Sequence, residues 1–566
     1  MNTNNTYKIS NFLFLSIILI ITGCANIVAP SGGVKDVTPP MPVKSEPNSN
    51  TTCFNQKYFR IWFDEFIKLK DITNKIIISP PLNESPDISI KGKSILVKLN
   101  ENLKENTTYN ISFENVIADI TEGNTLPQFQ YVFSTGKYID SMTIKGKVID
   151  AFSLEPSSDV AIMLYKENLD SLPLIKKPDF IGKTNKAGEF AVNNLPCGKF
   201  KVFALKDANN NYIYDLPNEQ IAFIDTMVSS YFIKKSVKDS LKKDTVNEMA
   251  IKYPELELYL FTEVDSTQKL IKYDNSIPGQ LKFIFKFPVK NFSFKPLKPL
   301  WTPNMYVVDP SYKGDTIMLW YTDIESDSLE AIISCAAKYN DTLKIKLAQE
   351  KNLRTTSKRV LELEKLKISF SATPSKPVDL NQSFKIFFSK PIISQNFNNI
   401  IFYDNKDTIK PEIHFLDSTR RILEINYNWK ENTEYFLYAN PETFKDIHGF
   451  YNDSIRVKFK SKQIDDYGIL KIKIENFPQN TNIILQLLNV QNNKIIKEIQ
   501  VDKAKLLKID YLAPGNYQIK TIYDKNRNGQ WDTGIYLKKV FPEKVEIYNQ
   551  NIKIKGGWEA EINLKL

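Results

Sequence analysis

Two loops of this chain place oxygen-bearing side chains at alternate positions. Asp207, Asn209, Asn211 and Asp215 stand at relative positions 1, 3, 5 and 9 of one, and Asp524, Asn526, Asn528 and Asp532 stand at the same positions of the other. Alternate spacing in a tight loop lets such side chains converge on one hard cation, and Ca2+ takes about six to eight oxygens. Gly529 occupies position 6 of the second loop, where a sharp turn favours glycine. The first loop has Tyr212 there, and neither loop has a glutamate at position 12. The same residues also suit an Asx-rich turn held by side-chain to backbone hydrogen bonds, so the spacing leaves Ca2+ ligation and a plain turn both open.

Other chemistry is thinly represented. The two histidines, His414 and His448, fall in a strand-like and a turn-like segment without a partner motif, whereas a Ser-His-Asp or Cys-His apparatus needs a positioned imidazole. No GxSxG, HExxH, P-loop or Rossmann fingerprint is present, and no Cys/His cluster has zinc spacing. The Asp64-Glu65 pair has the residue types of a glycosidase, but the chain has 65 acidic residues and the pair alone specifies nothing. The pattern points to a protein that is not an enzyme. Six tryptophans could build a sugar-stacking platform if several reached one face. Trp62 and Trp429 read as core, and Trp531, beside Asp532, is the first place to look for an exposed aromatic, although core packing is the favoured reading there too. Cys53, Cys197 and Cys335 are scattered with no disulfide framework and read as buried free thiols.

The elements that position the two loops are themselves a repeat. LAPGNYQIKTIYDKNRNGQWD, from Leu512 to Asp532, matches LPCGKFKVFALKDANNNYIYD, from Leu195 to Asp215, without a gap. In each, a proline-glycine turn leads into alternating apolar residues, the period-2 signature of a strand with one buried face. Around these strands, composition is that of folded β material. Apolar residues make up 42%, charged residues 25% and aromatics 12%, the last favouring half-buried pleated surfaces. A chain of 566 residues exceeds what one core supports and divides into several domains. Its net charge of +10 is spread along the chain instead of gathered into a stripe, which argues against nucleic acid as partner.

Near the N-terminus, Lys8 precedes the apolar run Phe12 to Ile21, which is too short for a mature membrane span and reads as an export signal over residues 1–23. The Ile21-Thr22-Gly23-Cys24 sequence that ends it resembles the lipobox of bacterial lipoproteins. That resemblance implies that Cys24 becomes the first mature residue and carries acyl chains, each buried CH2 contributing ~0.8 kcal/mol to membrane anchorage. Residues 24–40, with Pro30, Gly32-Gly33 and Pro39-Pro40, suit a tether. Ala25 is not the aspartate associated with inner-membrane retention, which favours the outer membrane. No acidic cluster follows Cys24 of the sort linked to surface export in Bacteroidota, which favours the periplasmic face over the cell surface.

Residues 36–136 show six or seven short strands between turns, the pattern of a β-sandwich. Ile61 to Ile67, Leu103-Lys104-Glu105-Asn106-Thr107-Thr108-Tyr109, the Asp119 to Asn124 turn and the exit Phe133 to Gly136 resemble the bacterial Ig-like domains first recognised in S-layer proteins. Such domains are structural or interaction modules. The same features return over residues 370–462 as Ile386 to Ile392, Trp429-Lys430-Glu431-Asn432-Thr433-Glu434-Tyr435 and Asp446 to Gly449. The modules after each, residues 143–237 and 467–566, resemble the prealbumin-like, carboxypeptidase-regulatory-type sandwich. The first has its Thr184 to Phe190 hairpin and Leu195 to Phe200 strand; the second keeps only the Leu512 to Tyr517 strand. Their loops also look like the calcium loops of some cell-wall adhesin B-type repeats. Residues 253–347 read as a further sandwich, in which Leu329 to Ala337 suits either a helix or a buried strand, and Lys238 to Asp244 reads as a linker. The expected fold is all-β, with tandem Ig-like and prealbumin-like β-sandwiches in a duplicated pair. The whole resembles a Bacteroidota-type outer-membrane lipoprotein. It is expected to meet the membrane through its lipid and to bind an envelope protein or polymer; the alternative is a glycan-binding surface lipoprotein assisting polysaccharide capture.

Overall fold

A computed structural model describes residues 36–232, 255–264, 267–289, 291–310, 314–322, 326–335, 339–348, 366–405 and 407–566. The export signal, Cys24 and the charged run 238–244 lie outside the described residues. Half of the described residues are strand and 3% are helix, so the expected all-β fold of tandem β-sandwiches is the one adopted. Among the described residues no helix is long and apolar enough to cross a membrane. One compact unit ends at Leu260, and the other runs from Phe261 to Leu566 and includes Ala151–Leu154.

In the first unit, the opening sandwich has a four-stranded sheet in the order Pro42–Glu46, Tyr58–Phe63, Ser94–Lys98, Asp87–Ile90. It faces a three-stranded sheet of Ile77–Ser79, Thr108–Ser112 and Gln130–Ser134. Alternate residues explain the layering: Phe59, Ile61 and Phe63 turn inward, while Tyr58, Arg60 and Trp62 turn outward. The buried rings of Phe59, Tyr109, Tyr131 and Phe133 meet between the sheets, each contributing about 1.5–3 kcal/mol of apolar burial.

The second sandwich stacks Glu189–Leu195, Met142–Asp150 and Leu256–Leu260 against Phe180–Lys183, Ala161–Tyr165, Lys199–Lys206 and Gln220–Phe223. Its third strand is a departure from the sequence reading, which ended this module at residue 237 and gave residues 253 onward to the next. Leu256–Leu260 instead pairs in parallel with Met142–Asp150, from Gly146↔Leu256 to Asp150↔Leu260. Leu258 and Leu260 complete the second core, a contact between distant segments that strand periodicity alone does not reveal. Gly146 permits the close approach, because a Cβ there would meet the carbonyl oxygen of Leu256.

In the second unit, two sandwiches share the strand order of the opening one. Leu270–Asp274, Gln280–Phe285, Thr316–Tyr321 and Tyr306–Pro310 form the first sheet of one, and Ile368–Phe370, Phe384–Phe388, Ile422–Asn426 and Glu412–Phe415 that of the other. The ambiguous 329–337 stretch is strand over Ser328–Cys335, with every second residue buried, so the buried-strand reading holds. The last sandwich repeats the second. Leu506–Leu512, Gly468–Glu475 and Glu559–Lys565 form one sheet, with Gly468–Glu475 and Glu559–Lys565 again a parallel pair, and Lys494–Val501, Asn482–Asn489, Gly515–Asp524 and Val545–Ile547 form the other.

Candidate functional site

The two acidic loops begin where the central strand of each repeated sandwich ends. Lys199–Lys206 stops one residue before Asp207, and Gly515–Asp524 ends on Asp524 itself. Both loops close around their first and last aspartates, and share the bond from the position 6 N–H to the first. The Asp207 carboxylate accepts the backbone N–H groups of Asn209, Asn210 and Tyr212 at 3.1, 2.7 and 2.7 Å. That of Asp524 accepts those of Asn528 and Gly529 at 3.1 and 2.8 Å. Asn209 and Asn211 donate from Nδ2 to the two oxygens of Asp215, at 3.1 and 2.8 Å. Asn528 likewise donates to Asp532 at 2.7 Å, joined there by Asn526. In each loop the last three side chains singled out by spacing meet directly, while the first, Asp207 or Asp524, gathers backbone N–H groups of the same loop.

Position 6 is left-handed in both loops, with φ +79° at Gly529 and +60° at Tyr212. A tyrosine in that region is strained, and its N–H to Asp207 helps to hold it there. The turn that glycine announces in one copy is thus made in the other without it.

Each loop also has a member that the repeat concealed. Glu219, fully buried, accepts from the N–H groups of Ala208, Asp215 and Leu216 at 3.1, 3.0 and 3.1 Å. Glu543 accepts from those of Lys525 and Asp532 at 2.7 and 3.1 Å. Burial pushes the Glu543 carboxyl above the usual range; its two N–H donors oppose this, and the charges of Asp524 and Asp532 add to the rise. A glutamate after the last aspartate was the available signal. It stands four residues on in one copy and eleven in the other, outside the gapless match.

An all-oxygen set of this kind fits a hard cation. The cation would be held by Asp524, Asn526, Asn528 and Asp532, or by Asp207, Asn209, Asn211 and Asp215, and its charge would offset the crowding that raises Glu543. The asparagine amides now present N–H to the carboxylate, so ligation requires them to turn their oxygens inward. Among the described residues no group of three or more His, Cys, Asp or Glu is placed to hold a metal, which makes those amide oxygens indispensable to any ion.

The histidines are committed elsewhere. His448 is mostly buried, its Nε2 lies 3.2 Å from the Tyr321 carbonyl oxygen, and burial lowers its pKa. His414 Nε2 lies 3.3 Å from Glu424. Ser383 donates to the same Glu424, so the order is serine, glutamate, histidine. A nucleophilic triad needs the imidazole between the other two.

The tryptophans and cysteines depart in part from the sequence reading. Trp429 is core, with Nε1 donating to the Gln382 carbonyl at 2.7 Å. Trp62 is half-buried on an outer face under Arg60 and Lys44, because strand alternation points it away from Phe63. Trp531 is half-buried rather than exposed: its Nε1 donates to the Glu543 carbonyl at 2.9 Å and its ring lies 4.9 Å from Phe152. The exposed tryptophan is Trp558, at 64%. Of the three thiols only Cys335 is buried, with its pKa pushed up to about 11; Cys53 and Cys197 are exposed at turns.

Within the first unit, a cleft of about 580 Å³ lies between the outer faces of two sheets, lined by Ser79, Asn110, Ser112 and Gln130 on one side and Lys145 and Lys147 on the other. Its exposed surface is mainly that of amide, hydroxyl and charged groups, with Ile77, Ile181 and Phe190 also in the walls.

Residues 36–135 match the family model of the bacterial Ig-like domain. Comparison with curated proteins finds no match. Among solved structures, the chain is similar to BcpA, the major pilin subunit of Bacillus cereus, at 10% identity and a TM-score of 0.13, over 75% of this chain and 98% of that one. It is similar to the surface layer protein SbsC, domains 1–6, at 11% identity and a TM-score of 0.15, over 89% of this chain and 67% of that one. A crystal structure of titin domains gives 11% identity and a TM-score of 0.14, over 51% and 99%. The family match speaks to the first sandwich; scores as low as these carry no argument about the rest.

Proposed function

We propose that the chain is a lipid-anchored, non-enzymatic protein of the bacterial outer membrane, whose sandwiches serve as a structural and binding array for another envelope protein or polymer. The observation that carries this reading is the pairing of the lipobox-like Ile21-Thr22-Gly23-Cys24 with a chain built of β-sandwich modules, the first matching a bacterial Ig-like domain. Acyl chains on Cys24 would supply the anchorage and the sandwiches the reach. The acidic loops, closing the ends of the central strands, would be stiffened by Ca2+. Ala25 and the absence of acids just after Cys24 favour the periplasmic face.

Fractionation of cells that express the wild-type chain and Cys24→Ser tests the anchor. The variant is expected in the soluble fraction, and its retention on salt-washed membranes would refute the lipid tether. Protease treatment of intact cells reads the face: digestion would reassign the chain to the cell surface. Crosslinking followed by capture of the lipidated protein identifies the partner.

A second reading, glycan capture, is favoured by the polar cleft. Amides, hydroxyls and opposite charges around a cavity of this size suit a hydroxylated ligand. Calorimetric titration of the unlipidated chain with envelope oligosaccharides would show saturable heat that Asn110→Ala with Lys145→Ala removes. Heat unchanged by those substitutions would refute the cleft as the site.

A further inference from the structure

The two acidic loops share one arrangement around position 5 and differ in the residue that follows it. The Asn528 Oδ1 accepts the Gln530 N–H at 2.9 Å, and the Asn211 Oδ1 accepts that of Ile213 at 2.7 Å. Each amide nitrogen donates to the last aspartate of its loop. The next backbone N–H donates to the first aspartate, at 2.8 Å from Gly529 to Asp524 and at 2.7 Å from Tyr212 to Asp207. Glycine therefore follows the asparagine in one loop and tyrosine in the other. Asn528-Gly529 is the chain's only Asn-Gly pair.

An asparagine loses its amide when the backbone nitrogen of the next residue attacks its Cγ, and a side chain on that next residue hinders the approach. Gly529 has no side chain to hinder it, and Asn528 is exposed to the water that completes the reaction. The folded loop adds groups that fit the step. The Asp524 carboxylate already accepts the proton that the attacking nitrogen must give up. The Gln530 N–H is aimed at the oxygen on which negative charge develops.

We propose that Asn528 is a deamidation site, and that its conversion to a carboxylate makes closure of the second loop depend on a cation. The Gly529 nitrogen bonds to Cγ of Asn528, and its proton passes to Asp524 and on to the amide nitrogen, which leaves as ammonia. Water then opens the resulting succinimide to aspartate or isoaspartate. The new carboxylate cannot donate to Asp532 as the amide does at 2.7 Å. Positions 1, 5 and 9 would carry three carboxylates in place of two, and a hard cation relieves their mutual repulsion. The first loop, with Tyr212 after Asn211, stays an amide-closed turn. The cation dependence rests on the Ca2+ reading of the loop, whereas the conversion does not.

The test incubates the folded, purified chain from residue 25 to 566 at neutral and mildly alkaline pH, digests it with pepsin in acid and reads the peptides by mass. The mass gain of amide-to-acid conversion is expected at Asn528 and not at Asn211, and enzymatic methylation should mark isoaspartate in the same peptide. Gly529→Ala is expected to suppress the gain. Because that variant also strains a turn at φ +79°, Tyr212→Gly supplies the converse and is expected to confer the gain on Asn211. An Asn528 amide that survives in the folded chain while the urea-unfolded chain loses it, or equal conversion at Asn211 and Asn528, would overturn the site. In calorimetry Asn528→Asp is expected to melt below the wild-type chain in chelator and to gain more from calcium. A variant whose midpoint calcium leaves unmoved would refute the cation dependence and leave the conversion standing.

Discussion

Adding calcium is the perturbation for which the loop geometry gives a magnitude. Extracellular modules bind Ca2+ with Kd of ~10⁻⁴ to 10⁻³ M. At about 5 mM calcium, ligation to the folded state alone stabilises by RT ln(1 + [L]/Kd), about 1 to 2.3 kcal/mol. For a sandwich of about 100 residues each kcal/mol moves the midpoint by roughly 4–8 °C, so the last module should melt about 4 to 18 °C higher. The substitution must separate ligation from turn closure. Asp524 is unsuitable alone, because its carboxylate accepts the Asn528 and Gly529 N–H groups and its loss strands them whether or not an ion binds. Asp532 accepts the side-chain amides of Asn526 and Asn528, which can turn to water when it is removed. Asp532→Ala should therefore lower the calcium-free midpoint little and remove the calcium increment. Differential scanning calorimetry of the 25–566 chain, with calcium, magnesium or chelator, reads both. A midpoint unmoved by calcium, or an increment that Asp532→Ala retains, would refute ligation and leave the loops as Asx turns.

Other consequences concern the scaffold. Leu260→Ala should destabilise the second sandwich by about 2–5 kcal/mol, seen as faster amide exchange in Met142–Asp150; loss of protection confined to the third sandwich would contradict the strand assignment. Tyr435→Phe removes the acceptor of the Lys430 N–H at 2.9 Å and should destabilise the fourth sandwich by about 1–3 kcal/mol in urea unfolding; an unchanged midpoint would contradict the role of that corner. His448 is held below its ordinary 6.5 chiefly by burial, with Lys390 adding to it and Asp446 opposing. Below pH 6.5 the unfolded chain takes up a proton that the folded chain resists, so this contribution is complete above 6.5 and declines as pH falls toward the folded value. Thermal scans from pH 7 to 5 should show a fall that His448→Gln flattens, and parallel curves would contradict the assignment.

How much of the molecule is legible in its sequence depends on the range of each interaction. Leu103 to Tyr109 and Trp429 to Tyr435 could be matched because their bonds are local. The Tyr109 hydroxyl accepts the Lys104 N–H, and that of Tyr435 accepts the Lys430 N–H, each five residues away and each at 2.9 Å. The Thr184 to Phe190 hairpin is local too: Asn185 accepts from Ala187 and Glu189, and Gly188 has φ +73° with the Val148 carbonyl oxygen in the place of a Cβ. Leu256–Leu260 lay beyond reach because its partner is more than a hundred residues earlier, and a parallel pairing leaves no turn signal. Within the site, the four-residue patterns were legible by spacing alone. Glu219 and Glu543 were not, since an insertion moves one of them relative to the other. Trp62 was misjudged because it alternates outward from a strand, whereas Trp531 folds its indole onto a backbone carbonyl, in keeping with the packing favoured for it over exposure.

The tether is the part of the account on which the function rests, and metabolic labelling with an alkyne fatty acid addresses it directly. The wild-type chain should acquire label that co-migrates with the mature protein, and Cys24→Ser should acquire none. A wild-type chain that remains unlabelled, or a Cys24→Ser chain that labels equally, would contradict lipid anchorage at that residue.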